Sequence, residues 1–177
     1  MKKPLQDQVR AARGFTLIEI MVVIAIIIVL AGMVVSGVGW YKRKAAENKT
    51  KVLVASVERA LEEYRSDNST FPVVNDPNEG STSEVYMALF GDSDGDGQAN
   101  SGETVYLSIL DPNLTGNKLN VEKNGGAYVI VDSWFAPLRY QSPGDMNPDF
   151  DLWSMGPDGQ GGPTGASDKQ RDDIKNW

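Results

Sequence analysis

The chain has 177 residues and a formal net charge of −7, and it contains neither cysteine nor histidine. It therefore has no disulfide bonds, and it lacks the commonest general base and the commonest transition-metal ligand. The charge is uneven, because residues 1–14 carry +3 and the remainder carries −10. An acidic body lacks the clustered Lys and Arg that phosphate binding requires, so we expect no nucleic-acid partner.

A long apolar run follows the basic N-terminus. Residues 15–38 form a stretch of 24 residues with a single charged side chain. At about 1.5 Å per residue, this stretch would make a helix of roughly 36 Å, which is enough to cross a bilayer. A cleaved secretory signal is the alternative, but its apolar region is shorter and ends in small residues. Here the flank at residues 40–44 is aromatic and basic, so the run predicts a retained transmembrane helix.

The single charge inside this run is the carboxylate of Glu19. A charged side chain in hydrocarbon costs about 3 kcal/mol near the centre of a membrane helix, so such a residue is expected to have a partner. Cleavage of the chain after Gly14 would leave a cationic amine on Phe15. That amine could pair with Glu19 in the same chain or in a neighbouring copy.

Residues 13–19, Arg-Gly-Phe-Thr-Leu-Ile-Glu, resemble the class III leader junction of type IV pilins and type II secretion pseudopilins. The resemblance implies that a prepilin peptidase cleaves between Gly14 and Phe15 and methylates the new amine of Phe15. It also implies that Glu19 pairs with the Phe15 amine of an adjacent subunit when the subunits assemble.

A second helical pattern continues from residue 45 to residue 66. Apolar residues recur at helical spacing and form one stripe, while charged residues occupy the other faces. Helix-favouring residues end near residue 67, and Pro72 closes the segment. The sequence predicts one helix from Phe15 to about Asp67. Its C-terminal half would pack on the rest of the chain through Leu53, Val57, Ala60, Leu61 and Tyr64.

Residues 92–103 fit the calcium-loop pattern D-x-[DN]-x-[DN]-G-x5-E at every fixed position. This spacing gathers oxygen ligands around one Ca²⁺, and a glycine at the sixth position makes the turn. A metal-free polar loop is the alternative. A helix is predicted before the loop at 83–90, but 104–107 is not clearly helical, so we expect one isolated loop that braces the fold. The predicted ligands are the carboxylates of Asp92, Asp94, Asp96 and Glu103, the carbonyl of Gln98, and Asn100 through water.

Three short runs near the C-terminus have the composition of strands. Residues 127–131, 138–141 and 150–153 are rich in aromatic and β-branched or aliphatic residues, and Pro, Gly, Asn and Asp between them are typical of turns. The sequence therefore predicts a small antiparallel sheet packed on the helical stripe.

The tail is similar to that of the major pseudopilins of type II secretion. The matching stretches are 132–137, 142–144, 149–156 and 172–177. The last loop of that family binds Ca²⁺, so the resemblance implies a second calcium site in this chain. By position, its ligands would be the carbonyls of Met155 and Gln160 and the carboxylates of Asp158, Asp172 and Asp173.

These features predict an α+β fold, in which a long N-terminal α-helix packs on a small antiparallel β-sheet with calcium-braced loops. We expect five segments in chain order. They are a leader peptide at 1–14, a transmembrane and assembly helix at 15–39, the periplasmic half of the helix at 40–72, a variable region with the calcium loop at 73–126, and the sheet with the second calcium loop at 127–177.

The resemblance implies a structural subunit of a type II secretion pseudopilus and no catalytic residues. Prepilin peptidase would process the chain, and copies would polymerise into a periplasmic fibre that drives protein export. Minor pseudopilins, an inner-membrane assembly platform and inner-membrane lipid would be its other partners. Two alternatives stay open: a type IV pilin for adhesion, motility or DNA uptake, and a tethered calcium-binding module that never polymerises. The absence of cysteine favours the pseudopilin, because many type IV pilins close their C-terminal region with a disulfide.

Overall fold

The computed structural model describes residues 14–74, 82–114, 120–162 and 172–177. These residues fall into two units, one that ends at Lys42 and one that comprises Arg43–Trp177. The predicted leader at 1–14 lies outside the described residues, except for Gly14. The first unit is the apolar part of the N-terminal helix, and the second unit holds all the other elements.

The N-terminal helix, α1, spans Leu17–Asn68. It begins two residues later than predicted and ends one residue beyond Asp67. Its first part has a window with a mean hydropathy of 3.1 and no buried residue, so by length and composition it could span a membrane. Ser69, with φ of 61°, ends the helix in a left-handed conformation, and its amide donates to the carbonyl of Arg65 at 2.7 Å.

The predicted stripe on the second half of α1 is confirmed. Leu53, Val57, Ala60 and Leu61 are each at most 5% exposed. They join one hydrophobic cluster with side chains from the second helix and from both sheets. Burial of this stripe explains why the helix persists beyond the apolar run, since an amphipathic helix is stabilised mainly by packing of its apolar face.

The second helix, α2, spans Ser83–Phe90, as predicted. Residues 104–107 after the acidic loop are not helical. The amides of Tyr106 and Leu107 both donate to the carbonyl of Leu89, at 2.9 and 3.0 Å, and a short 3₁₀ helix follows at Ser108–Leu110. The acidic loop therefore leaves α2 and returns to the end of the same helix.

The strands form two antiparallel sheets, so the prediction of a single three-stranded sheet was wrong. Strands β1 (Val121–Asn124) and β2 (Ala127–Ile130) form a hairpin. Strands β3 (Arg139–Gln141), β4 (Asp151–Ser154) and β5 (Ile174–Lys175) form the second sheet, in the order β3-β4-β5. The three predicted strands are present within about one residue of their bounds.

Strands β1 and β5 were missed for physical reasons. Only Val121 is buried in β1, so its residues Val-Glu-Lys-Asn lack the apolar alternation that marks a half-buried strand. Strand β5 has two residues, which is too short for any periodic pattern. A two-residue Gly125-Gly126 connection between β1 and β2 was a usable hairpin signal.

The C-terminal residues complete the second sheet. The Asn176 amide donates to the Leu152 carbonyl at 3.1 Å, and its side-chain oxygen accepts from the Leu152 amide at 2.9 Å. Its side-chain nitrogen donates to the carbonyl of Phe150 at 3.3 Å. Trp177 packs edge-on against Trp153, with ring centroids 6.1 Å apart. The packing of the long helix α1 on the two sheets confirms the predicted α+β class.

Candidate functional sites

The start of α1 places the predicted processing and assembly residues next to each other. Gly14, Phe15 and Thr16 precede the helix without regular structure, and the Phe15 side chain is 77% exposed. The Glu19 carboxylate accepts hydrogen bonds from the Thr16 amide and the Thr16 hydroxyl, both at 3.4 Å. In return, the Glu19 amide donates to the Thr16 hydroxyl at 3.3 Å.

This reciprocal arrangement is a capping box, which satisfies free amides at the start of a helix. The Thr-x-x-Glu spacing that produces it can be read from Thr16 and Glu19 in the sequence, although the resemblance to pilins implies only the role of Glu19 in assembly. Glu19 therefore has a local role that does not need a neighbouring copy.

The acidic loop after α2 brings three of its predicted ligands together. Carboxylate oxygens of Asp92, Asp94 and Asp96 lie within 4.8 Å of one another, and this group could hold a metal ion. Asp92 is fully buried, whereas Asp94 and Asp96 are exposed. Each carboxylate also accepts a backbone amide: Asp92 and Asp94 from Asp96, at 3.0 and 3.3 Å, and Asp96 from Gln98 at 2.7 Å.

The carboxylate of Glu103 is not part of this converging group. Glu103 accepts from the Ser93 hydroxyl at 2.5 Å and from the Asn100 side chain at 3.1 Å. These two hydrogen bonds hold the pKa of the Glu103 carboxyl below its ordinary value. The Gln98 side chain donates to Asp96 at 3.3 Å. A complete ligand set would require Glu103 to exchange its present donors for a cation.

The buried end of the loop is anchored to the helix before it and to the hairpin β1–β2. Tyr86 on α2 donates its hydroxyl to Asp92 at 3.1 Å, and burial together with this bond raises the pKa of Tyr86 above its ordinary value. Gly97, with φ of 92°, lies so close to Tyr128 that an added Cβ would meet the hydroxyl at 2.6 Å. Asn113 donates to the carbonyl of Gly97 at 2.8 Å. The loop is thus ordered by contacts on two sides.

In the C-terminal segment, the described carboxylates among the predicted ligands do not converge as the three aspartates of the first loop do. Met155 precedes a 3₁₀ turn at Gly156–Asp158, and Asp158 accepts the amide of Gln160 at 2.8 Å. Both Asp158 and Gln160 are exposed. Residues 163–171, between this turn and Asp172, lie outside the described residues. Within the described part of the segment, no group of three carboxylates converges.

Asp173 differs from the exposed Asp158 and Gln160, because its side chain is fully buried. Neither of its oxygens accepts a hydrogen bond of good geometry from the described residues. Lys175 is its nearest cation, with the ammonium 3.4 Å away. Burial raises the pKa of the Asp173 carboxyl, while Lys175 and the backbone of Gly162 oppose that shift. A buried carboxylate with few donors is costly, and the Lys175 ammonium compensates for part of this cost.

The backbone around Asp172 and Asp173 is closely packed against the 155–162 turn. Gly156, with φ of 64°, lies so near the carbonyl oxygen of Asp172 that an added Cβ would approach it to 2.5 Å. An added Cβ on Gly161 would collide with the Asp173 carboxylate. The two parts of the predicted ligand set therefore meet in space, although they are far apart in sequence.

Two further buried aspartates, Asp132 and Asp151, organise turns and were not predicted as such. Asp132 accepts the amides of Trp134 and Ala136 at 2.9 and 3.0 Å and the Ser154 hydroxyl at 2.6 Å. Asp151 accepts three amides from residues 145–147, at 2.7 to 2.9 Å. Their carboxylates are fully supplied with donors, so we assign them structural roles.

Comparison with known proteins agrees with these features. The family described as "Type II secretion system (T2SS), protein G" matches residues 110–177, and the "Prokaryotic N-terminal methylation motif" matches residues 9–35. The type II secretion system core protein G of Pseudomonas aeruginosa is 34% identical over 171 residues, which cover 96% of this chain and 98% of that protein. The corresponding protein of Escherichia coli K12 is 33% identical over 165 residues, covering 93% and 90%.

A solved structure is also similar, the crystal structure of the major pseudopilin from the type 2 secretion system of enterohaemorrhagic Escherichia coli. It is 22% identical, with a TM-score of 0.46, and the match covers 79% of this chain and 89% of that one. The sequence relatives alone assign the family, and the structural similarity is not needed for that assignment.

A methylation motif that covers the start of the long apolar helix, followed by an α+β body, defines a pilin-like subunit. The chain belongs to the type II secretion system protein G family, the major pseudopilins. The predicted family and function are confirmed, and the methylation motif implies processing by prepilin peptidase. The family consists of structural subunits, and its assignment with one N-terminal apolar helix fits a protein anchored in the inner membrane.

Proposed function

We propose that this chain is cleaved between Gly14 and Phe15, is methylated on the amine of Phe15, and then polymerises into a fibre that drives protein export. The second unit would form the periplasmic head, and minor pseudopilins and an inner-membrane assembly platform would be its partners. One observation carries the assembly step. Glu19 lies within one helical turn of the non-helical, exposed Phe15, at the start of a helix whose apolar window is wholly exposed.

The chemistry of assembly follows from this position. An apolar helix in lipid leaves Glu19 as a charge that is costly to bury alone. A methylated amine on Phe15 stays cationic, so the amine of one copy can neutralise the carboxylate of the next. In the described structure Glu19 instead caps its own helix through Thr16. Assembly would then exchange a cap within one chain for an ion pair between copies.

The experiment that tests this step separates the charge of Glu19 from its capping role. Glu19→Gln keeps an oxygen that can accept the Thr16 amide but removes the charge. We expect normal membrane insertion and cleavage but at least a tenfold loss of fibres, measured by shearing and immunoblotting. Thr16→Val is the matched control, because it removes the capping hydroxyl and keeps the charge, and it should leave most fibres intact. Wild-type fibre yield from the Glu19→Gln chain would disprove the assembly mechanism.

We also propose that Ca²⁺ binds both acidic loops. In the first loop, Asp92, Asp94, Asp96 and Glu103 would supply carboxylates, the Gln98 backbone a carbonyl, and Asn100 a contact through water. The convergent oxygens of the three aspartates support this proposal, since Ca²⁺ prefers oxygen ligands of this kind. In the second loop, the buried and undersupplied carboxylate of Asp173 is the support.

The proposed ligands of the second site are Met155 and Gln160 through their carbonyls, and Asp158, Asp172 and Asp173 through their carboxylates. Bound Ca²⁺ would supply positive charge where repulsion and burial disfavour ionised carboxylates. A head without disulfides gains rigidity from such cross-links, because each one joins segments that are distant in the chain.

A further inference from the structure

The turn at 132–137 presents an aromatic ring to solvent. Phe135 has φ of 64°, a left-handed conformation that favours glycine, and its side chain is 58% exposed. The Asp132 carboxylate fixes the turn by accepting the amides on both sides of Phe135, at 2.9 and 3.0 Å. Among the described residues, the ring makes no stacking or cation–π contact, and it lies outside the hydrophobic cluster. The fold therefore holds this ring outside the core.

The same turn is docked on the first part of α1 in the second unit. The Ser133 amide donates to the Thr50 hydroxyl at 3.2 Å. Trp134, the next residue, lines a cavity of about 220 Å³ together with Arg43, which is the first residue of the second unit. The turn therefore lies beside the first two helical turns of this unit, and Phe135 comes next in the chain after Trp134.

These two helical turns are the part of the second unit that lies closest to the membrane run along the chain. The apolar run ends at Val38, so Arg43 follows it by five residues, which is about 7.5 Å of helix. The polar headgroups extend a bilayer by about 5 to 8 Å beyond its hydrocarbon core on each side. The chain connection alone therefore places Arg43 at the level of the lipid headgroups, with the 132–137 turn beside it.

The charge of this part of α1 favours an anionic surface as its partner. Residues 42–51 contain five basic residues and one acidic residue and carry +4, whereas residues 52–177 carry −13. Arg43 and Lys49 are exposed, and neither forms an ion pair with the described residues. Basic residues that flank a membrane helix are attracted to anionic headgroups, and aromatic side chains favour the same interfacial layer.

The acidic groups near this surface already have cationic partners. Glu47 pairs with two lysines of the same helix, Lys44 at 3.0 Å and Lys51 at 2.6 Å. Asp172 and Asp173 line the same cavity as Trp134, and the proposed Ca²⁺ would neutralise them. The basic charge of Arg43 and Lys49 is therefore left for an outside partner.

We propose that Phe135 inserts into the headgroup layer of the membrane that anchors α1, while the exposed basic residues of 42–51 bind anionic lipid. The rigid turn suits this contact, because a ring that is already fixed loses little conformational freedom when it enters the interface. The contact would hold the head of an unassembled subunit against the membrane. It rests on the membrane anchoring of α1 and not on polymerisation, so single copies can test it.

The absence of cysteine allows a fluorophore to be placed at one position. Labelled full-length Phe135→Cys is reconstituted into vesicles of phosphatidylethanolamine and phosphatidylglycerol, with enough lipid to keep copies apart. A nitroxide on the lipid headgroup should quench this label about threefold more than a label on Ser69→Cys. Ser69 is the matched control, because it is exposed, has φ of 61°, and lies about 39 Å beyond Arg43 along the helix. Equal quenching at the two positions would overturn the proposal.

A second series tests the native ring, with the label on Ala136→Cys. Phe135→Gly should lower the quenching by at least half, whereas Phe135→Trp should keep it. The glycine suits the left-handed backbone, so the melting temperature of Phe135→Gly should not fall and misfolding is excluded as the cause. Quenching that Phe135→Gly leaves unchanged would overturn the role of the ring.

The charge is tested in the same vesicles. Replacing phosphatidylglycerol by phosphatidylcholine should lower the quenching of the label on Phe135→Cys, and so should Arg43→Gln, because each change removes one side of the charge pairing. Quenching that is independent of both changes would overturn the part of the proposal that assigns anionic lipid.

The outcomes also separate this inference from the proposed function. Glu19→Gln should abolish fibres and leave the lipid quenching at position 135 unchanged, because the contact needs no second copy. If a second copy covers the ring instead, the label will be shielded from aqueous iodide only at a high protein-to-lipid ratio, and the lipid nitroxide will not quench it. That result would overturn the lipid contact and leave the proposed fibre standing.

Discussion

The buried carboxylates of the two acidic loops differ in the hydrogen bonds that they accept. Asp92, in the loop after α2, accepts the amides of Asp96 and Gly97 and the Tyr86 hydroxyl, so its charge is solvated by the protein itself. Asp173, near the C-terminus, is equally buried, but neither oxygen accepts a hydrogen bond of good geometry from the described residues. The first carboxylate is therefore satisfied by donors of the fold, whereas the second is compensated mainly by the Lys175 ammonium, 3.4 Å away. If Ca²⁺ binds both loops as proposed, we expect the stability of the second loop to depend on it more.

The largest expected effect comes from removing Asp92. Asp92→Ala leaves the buried Tyr86 hydroxyl and the Gly97 amide without an acceptor, while the Asp96 amide keeps Asp94. The free energy of unfolding should therefore fall by about 4 kcal/mol. This loss should already appear in EGTA and should grow in calcium, because the variant then also loses a proposed ligand. Chemical denaturation of the detergent-solubilised chain measures both values. Asp94→Ala is the control, because Asp94 is exposed, and it should cost little in EGTA. A small effect of Asp92→Ala in EGTA would show that this carboxylate also depends on metal.

The glycines of the two loops give the second comparison. Gly156→Ala meets a positive φ and the backbone carbonyl of Asp172, which cannot move aside, so we expect a loss of about 3 kcal/mol. Gly97→Ala meets a positive φ and the hydroxyl end of Tyr128, a side chain that can shift, so the loss should be about 1.5 kcal/mol. Chemical denaturation measures both losses. The reverse order would mean that the first loop is the more rigid of the two.

The smallest expected effect on stability is a gain without calcium and a loss with calcium. Asp173→Asn removes a charge whose ionised form is disfavoured by burial, so in EGTA the variant should be slightly more stable than wild type. In calcium the variant loses a proposed ligand, so it should be the less stable protein. Melting temperatures with and without Ca²⁺ measure both values, and Asp158→Asn, an exposed site, should show no gain in EGTA. A gain from Asp173→Asn in both conditions would exclude calcium from this loop.

Local patterns made most of the fold predictable from the sequence. The apolar run, the stripe on α1 and the helix at 83–90 depend on neighbours in the chain, and the structure places them within about two residues of the prediction. The same is true of the Asp92–Asp94–Asp96 group, because its spacing alone brings the carboxylates together.

Features that join distant segments could not be predicted in the same way. Strand β5 is defined by its pairing with β4, at Ser154 and Ile174, and two residues carry no pattern of their own. The division into two sheets follows from which strands pair, and alternation within each strand does not reveal this. The burial of Asp173 against the 155–162 turn has the same origin, so only the resemblance to pseudopilins indicated a site there.

The role of Asn176 shows that the last strand is held by more than its own two residues. The backbone and side chain of Asn176 bond to Phe150 and Leu152, next to the short pairing of β5 with β4. Removal of residues 172–177 would therefore take away β5, the Asn176 hydrogen bonds, Asp172 and Asp173 together. Strand β4 would then lose its partner on that edge of the sheet.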